Sequence, residues 1–69
     1  MNFMDAVVNM INGKRVIRAT WGGFYLAILA NQDYIWNIGS GGNKPIITAT
    51  IYTPSVDDMM ATDWMVKTN

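Results

Sequence analysis

A chain of 69 residues with a formal net charge of zero, 51% hydrophobic and only 14% charged, has room for one thin core and presents no basic stripe to a polymeric nucleic acid. It contains neither cysteine nor histidine, which excludes disulfides, removes the usual ligands of structural zinc, and takes away the commonest catalytic bases and nucleophiles. A chain this short buries only about 60% of its unfolded surface, so part of the apolar excess is expected to lie between subunits of an oligomer. The apolar runs fall well short of the ~20 residues of a membrane helix and the start lacks a basic signal segment, so a cytoplasmic protein is expected.

From Phe3 to about Asn12, polar Asn2, Asp5, Asn9 and Asn12 recur every three or four residues among apolar ones, the pattern of an amphipathic helix. Asn2 is its expected cap and Gly13 its left-handed stop. Arg15 to Thr20 alternates as a strand, with Val16, Arg18 and Thr20 on one side, and breaks at Gly22-Gly23. Phe24 to Ala30 is apolar on both faces, which suggests a strand covered by the helix on one side and by a partner subunit on the other. Asn31-Gln32-Asp33 reads as a hairpin loop, Tyr34 to Ile38 as a short strand, and Gly39 to Asn43 as a flexible turn. Ile46 to Thr53 is the cleanest strand: Ile47, Ala49 and Ile51 are expected in the core, with Thr48, Thr50 and Tyr52 on a polar face able to line a site. Ser55 caps a single helical turn containing Asp57 to Ala61, and Trp64 to Val66 form a closing strand with Trp64 as a core anchor. The whole reads as one α+β domain over residues 1–69: an N-terminal helix packed on a small antiparallel sheet, with a short helical turn near the C-terminus.

Candidate chemistry is sparse. Asp57, Asp58 and Asp63 invite an Mg²⁺ reading, but neighbours on a helical turn point apart and acids there favour the helix N-terminus, so capping is preferred. The Gly39 to Lys44 loop has the amides of an anion cradle without the spacing of a known phosphate motif, and a plain turn is preferred. Trp21 is open between core residue and stacking platform: it stands at a strand end beside Gly22 and Gly23, where backbone can approach a ligand. Arg18 is open between solvation and a charge-assisted phosphate contact, and Trp36 between core and interface. The basic residues Lys14, Arg15, Arg18, Lys44 and Lys67 read as dispersed.

Two motifs add what composition lacks. The run Gly13-Lys14-Arg15-Val16-Ile17-Arg18-Ala19-Thr20-Trp21 and the closing Pro54-Ser55-Val56-Asp57-Asp58-Met59-Met60-Ala61-Thr62-Asp63-Trp64 together resemble the Thoeris anti-defence family, type two, of phages and prophages. The resemblance runs almost end to end, with Thr20 where glycine is common, Gly22 where asparagine is, and a shortened middle. It implies a homotetramer that sequesters cyclic ADP-ribose isomers between protomers without degrading them and, in some members, cyclic dinucleotides of CBASS defence at separate sites. It implies no cofactor, metal or catalysis. Arg18, Trp21, Ser55 and Asp58 are the ligand residues at matched motif positions; Gly22, Phe24, Tyr25, Asn37, Thr50 and Tyr52 are added from geometry, with Trp21 and one or both of Phe24 and Tyr25 to stack, Arg18 on phosphate, Asn37, Thr50, Tyr52, Ser55 and Asp58 on sugar or base edges, and Gly22 for close backbone approach. The alternative is an inhibitor that binds a bacterial defence enzyme through its methionine-bearing apolar surface.

Overall fold

Asn2 starts the helix as its position suggests: its side-chain oxygen accepts the Asp5 amide at 2.9 Å, closing the first turn of α1, Phe3–Ile11. Gly13 stops it at φ +85°, a conformation that a side chain would strain, and the amides of Gly13 and Lys14 return to the carbonyls of Met10 and Asn9. Ala6 and Met10 on its inner face are fully buried, whereas Met4, Val8 and Ile11, one flank of the same apolar arc, remain exposed.

The computed structural model describes residues 1–30, 33–40 and 47–68. Against α1 lies an antiparallel sheet of five strands, β1 (Val16–Arg18), β2 (Phe24–Ile28), β3 (Ile35–Ser40), β4 (Ile47–Ile51) and β5 (Trp64–Val66), with α2 (Val56–Met60) between β4 and β5. The strand order is β4-β3-β2-β1-β5, so the α+β architecture expected from the sequence is present.

The strands differ from expectation at their ends. β1 stops at Arg18 rather than Thr20 because the Trp21 amide donates to the Arg18 carbonyl and closes a turn over Ala19 and Thr20. β2 stops at Ile28 rather than Ala30. β3 starts one residue late and runs through Gly39 and Ser40, which pattern alone assigns to a turn; pairing of Gly39 with Phe24 on one side and Thr48 on the other keeps this weak strand former in the sheet. β4 ends at Ile51, although Tyr52 still donates its amide to Ile35 at 2.8 Å. Asn31 and Gln32 of the expected hairpin loop, and residues 41–46, which hold most of the considered phosphate cradle, lie outside the described residues.

Register decides which side chains meet the helix. Val16 pairs with Leu26, Arg18 with Trp64, Leu26 with Asn37, and Asn37 with Thr50, so these residues share the α1 face. Val16, Leu26 and Trp64 join Ala6 and Met10 in the core, and Trp64 is the anchor expected of it at 2% exposure. The contacts of α1 with the sheet are with β5, β1 and β2. β3 and β4 therefore extend beyond the helix. This corrects the reading of β4: Ala49 and Ile51 stand on the opposite face and are exposed, while Tyr52 packs against the core. Alternation revealed the two faces of that strand but not which one the helix would cover. Trp36 also lies on the opposite face, and its indole N–H is buried without a hydrogen-bond partner among the described residues.

Candidate functional site

Where the cover of α1 ends, aromatic and charged side chains gather on the same sheet face. Arg18 closes β1, and a short turn then lifts Trp21 over the start of β2. Gly23 makes the reversal possible at φ +84°. The Trp21 ring lies against Phe24 with centroids 4.6 Å apart and an interplanar angle of 31°, and meets Trp64 edge-on at 5.2 Å and 81°. Gly39, directly across the ladder from Phe24, leaves room for this arrangement: a Cβ there would come within 2.7 Å of Phe24 Cβ and 2.9 Å of the Gly23 carbonyl.

Beside the aromatic pair, Arg18 Nε donates to Asp63 Oδ1 at 2.9 Å and Nη1 to Asp58 Oδ1 at 3.1 Å. Tyr52 donates its hydroxyl to the other Asp58 oxygen. The backbone of Asp58 is equally engaged: its amide donates to Ser55 Oγ, the cap of α2, at 3.1 Å, and its carbonyl accepts Trp64 Nε1 at 2.9 Å. Hydrogen bonding to Asp63 leads, against the cost of burial, in raising the pKa of Arg18, with Asp58 adding to it. Burial pushes the Asp58 carboxyl upward, but the hydrogen bonds from Tyr52, Arg18 and Ser55 outweigh it and hold the group below its ordinary value. Burial and the Asp58 hydrogen bond raise the Tyr52 phenol well above its usual range. One guanidinium against two carboxylates leaves this cluster with a formal charge of −1.

The arrangement can stack a planar ring and offer hydrogen bonds from fixed polar groups. Among the described residues no three acids converge as a metal site would require. Of the residues singled out in the sequence, Arg18, Trp21, Phe24, Tyr52 and Asp58 come together, and Ser55 is tied to them through Asp58. Asn37 and Thr50 face one another on the same side of the sheet, beyond the edge of α1. Gly22 sits open in the turn, where an added Cβ would meet nothing within 4 Å. Tyr25 is separated from the group: alternation puts it on the other face, where the Arg15 guanidinium lies 5.2 Å from its ring centre. Asp63 and Trp64 belong to the network although sequence reasoning assigned them only capping or core roles. Their contact with Arg18 and Trp21 spans more than forty residues, which no local periodicity reports.

The spacing of both motifs now has a physical cause, since Arg18, Trp21, Ser55, Asp58, Asp63 and Trp64 hold one another. The sequence model of the Thoeris anti-defense 2-like domain, Tad2-like, matches residues 1–67. The chain belongs to this family. No curated protein and no solved structure matches it. Membership supports a Thoeris anti-defence role for this Tad2-like domain, and with it the phage and immune-evasion setting. No helix among the described residues is long and apolar enough to cross a membrane.

Proposed function

We propose that this Tad2-like protein is a sponge: it binds cyclic ADP-ribose isomers made by Thoeris enzymes in the cytoplasm of the infected cell and holds them intact, with no catalytic step. The observation that carries the reading is the Trp21–Phe24 pair standing beside the Arg18, Asp58 and Tyr52 network, on the α1 side of the sheet. Stacking on such a pair contributes ~1–3 kcal/mol per base, and a few fixed hydrogen bonds added to it bring nanomolar affinity, about −12 kcal/mol, within reach. Arg18 enters this reading with two of its nitrogens already bound to carboxylates, so it orients the site as well as contacting ligand. Asn37, Thr50, Ser55 and the Gly22 backbone supply sugar or base-edge contacts, and Tyr25 acts from the opposite face, through a neighbouring copy. A homotetramer with pockets between protomers fits a chain whose buried core cluster is five residues and whose second sheet face is covered by no helix among the described residues. Cyclic dinucleotides of CBASS are the second ligand class we would test, at separate sites.

Calorimetric titration with cyclic ADP-ribose isomers and a cyclic dinucleotide panel, followed by heat release and chromatography, tests the proposal. Tight binding with intact release supports it, altered nucleotide would make the protein an enzyme, and no binding overturns it. The Trp21→Ala protein should keep its oligomeric state and lose about 5- to 150-fold in affinity, the equivalent of one stacked base. A second reading, an inhibitor that docks on a defence enzyme, draws on the exposed Met4, Val8 and Ile11 flank of α1 and on Val56, Met59 and Met60 of α2. Capture of a Thoeris protein by nucleotide-free material would favour it.

A further inference from the structure

Asp58 and Asp63 both bond Arg18, yet the two carboxylates are built into the fold to very different degrees. Asp58 stands in the first turn of α2, where Tyr52 donates to its second carboxylate oxygen, its amide donates to Ser55 Oγ and its carbonyl accepts the Trp64 indole. Removing it would loosen α2 from the sheet as well as free Arg18. Asp63 is placed by its backbone, whose carbonyl accepts the Ala19 amide at 3.1 Å, next to the pairing of Arg18 with Trp64. Among the described residues its carboxylate has one partner, Arg18 Nε at 2.9 Å.

That pair adds little to stability, because the Asp63 side chain is 33% exposed and the Arg18 side chain 23%. It also brings the cluster to a formal charge of −1, which works against any phosphate-bearing ligand. Its use lies in geometry. A guanidinium is planar, and a single anchor leaves it free to swing about that contact. Anchors on both Nε and Nη1 fix the plane and the rotation within it. Nη2 keeps its N–H groups without a partner among the described residues. With Asp63 on Nε, the side-on fork that an arginine offers an oxyanion is closed, and the approach through Nη2 stays open.

We propose that Asp63 is a positioning residue of the nucleotide site: it sets the Arg18 guanidinium before the ligand arrives, so that Nη2 donates to a phosphate oxygen. This rests on the nucleotide-binding reading above and adds to it a residue that itself touches no ligand. Immobilising the arginine in advance removes an ordering cost from binding, the equivalent of about 2- to 12-fold in affinity. An ion pair that only joined β5 to β1 would have no effect on affinity that depended on Arg18.

The test titrates the full chain calorimetrically with the cyclic ADP-ribose isomer that binds it best. If the unmutated protein binds none, the function proposed above fails and this assignment falls with it. If it binds, Asp63→Ala should weaken binding by about 2- to 12-fold. Asp63→Asn, which keeps an oxygen to accept Nε–H and removes the charge, should bind at least as tightly as the unmutated protein. In an Arg18→Ala background, adding Asp63→Ala should leave affinity unchanged, because the group it positions is gone. Full affinity in Asp63→Ala, or a loss that persists undiminished without Arg18, would overturn the positioning role while leaving the sponge reading in place. Failure of Asp63→Asn to recover binding would overturn it as well, since Asp63 would then supply charge rather than orientation. Nitrogen NMR of the ligand-free protein decides the matter if Asp63→Ala does not fold. The Arg18 Nε–H signal, assigned with Arg18→Lys, should be resolved and slow to exchange before ligand is added, and rapid exchange would overturn the preset guanidinium.

Discussion

Trp64→Phe isolates what the indole contributes. Trp64 is 2% exposed, stacks at a tilt on Phe3 with centroids 5.6 Å apart, meets Trp21 edge-on, and donates Nε1–H to the Asp58 carbonyl at 2.9 Å. Phenylalanine keeps a ring in the slot but removes the donor and about two carbons. The carbons are worth ~0.8 kcal/mol each, and the lost hydrogen bond, which leaves the Asp58 carbonyl only the longer bond from the Ala61 amide at 3.4 Å, about 1 kcal/mol, for a total near ~2–3 kcal/mol. Against the ~3–10 kcal/mol expected for a domain of this length, that is a large share. At ~4–8 °C per kcal/mol, the melting temperature should fall by roughly 10–20 °C. The assay is thermal and urea denaturation at one fixed protein concentration, because a dissociating oligomer makes the midpoint concentration-dependent. A loss below about 1 kcal/mol would refute the reasoning, since it would mean that neither the bond to Asp58 nor the fit of the indole holds α2 to the sheet.

Gly39→Ala should destabilise by about 1–3 kcal/mol in the same melts, because the new methyl meets the fixed Phe24 Cβ and Gly23 carbonyl rather than the end of a flexible side chain. It should also lower ligand affinity by displacing Phe24 and Trp21, and calorimetry checks that. For pH, Asp58 is held below its ordinary 3.8, so it stabilises the fold above the unfolded carboxylate range and loses that contribution as pH falls through its lower folded value. Acid titration of stability should show this step, and Asp58→Asn should remove it. Tyr52 gives the alkaline counterpart: its raised pKa means that the unfolded chain releases the phenolic proton first, so stability should decline above about pH 10, and Tyr52→Phe should flatten that decline.

Much of the fold was legible where local chemistry acts alone. Asn2 and Ser55 as caps, Gly13 as a stop, the polar spacing along α1 and the alternation of β4 each rest on contacts within a few residues, and the structure repeats them. The candidate site was legible in its members, with Arg18, Trp21 and Asp58 at motif positions, but not in its bonding. A carboxylate in the first turn of a helix can be placed from the sequence; that Asp58 and Asp63 both turn to Arg18 depends on β5 pairing with β1 across more than forty residues.

By itself the sequence determined the class of the fold, the order of its elements and the residue types able to stack or hydrogen-bond, because periodicity, capping and turn chemistry are properties of short windows. Tertiary structure decided which face α1 covers, and with it the exposure of Ala49 and Ile51, the separation of Tyr25 from Trp21, and the strand pairing of Gly39. It also gathered Arg15 and Lys67 from opposite ends of the chain into one corner. The reason is common to all of these: a period-two pattern reveals that a strand has two faces, and only pairing and packing determine what each face meets.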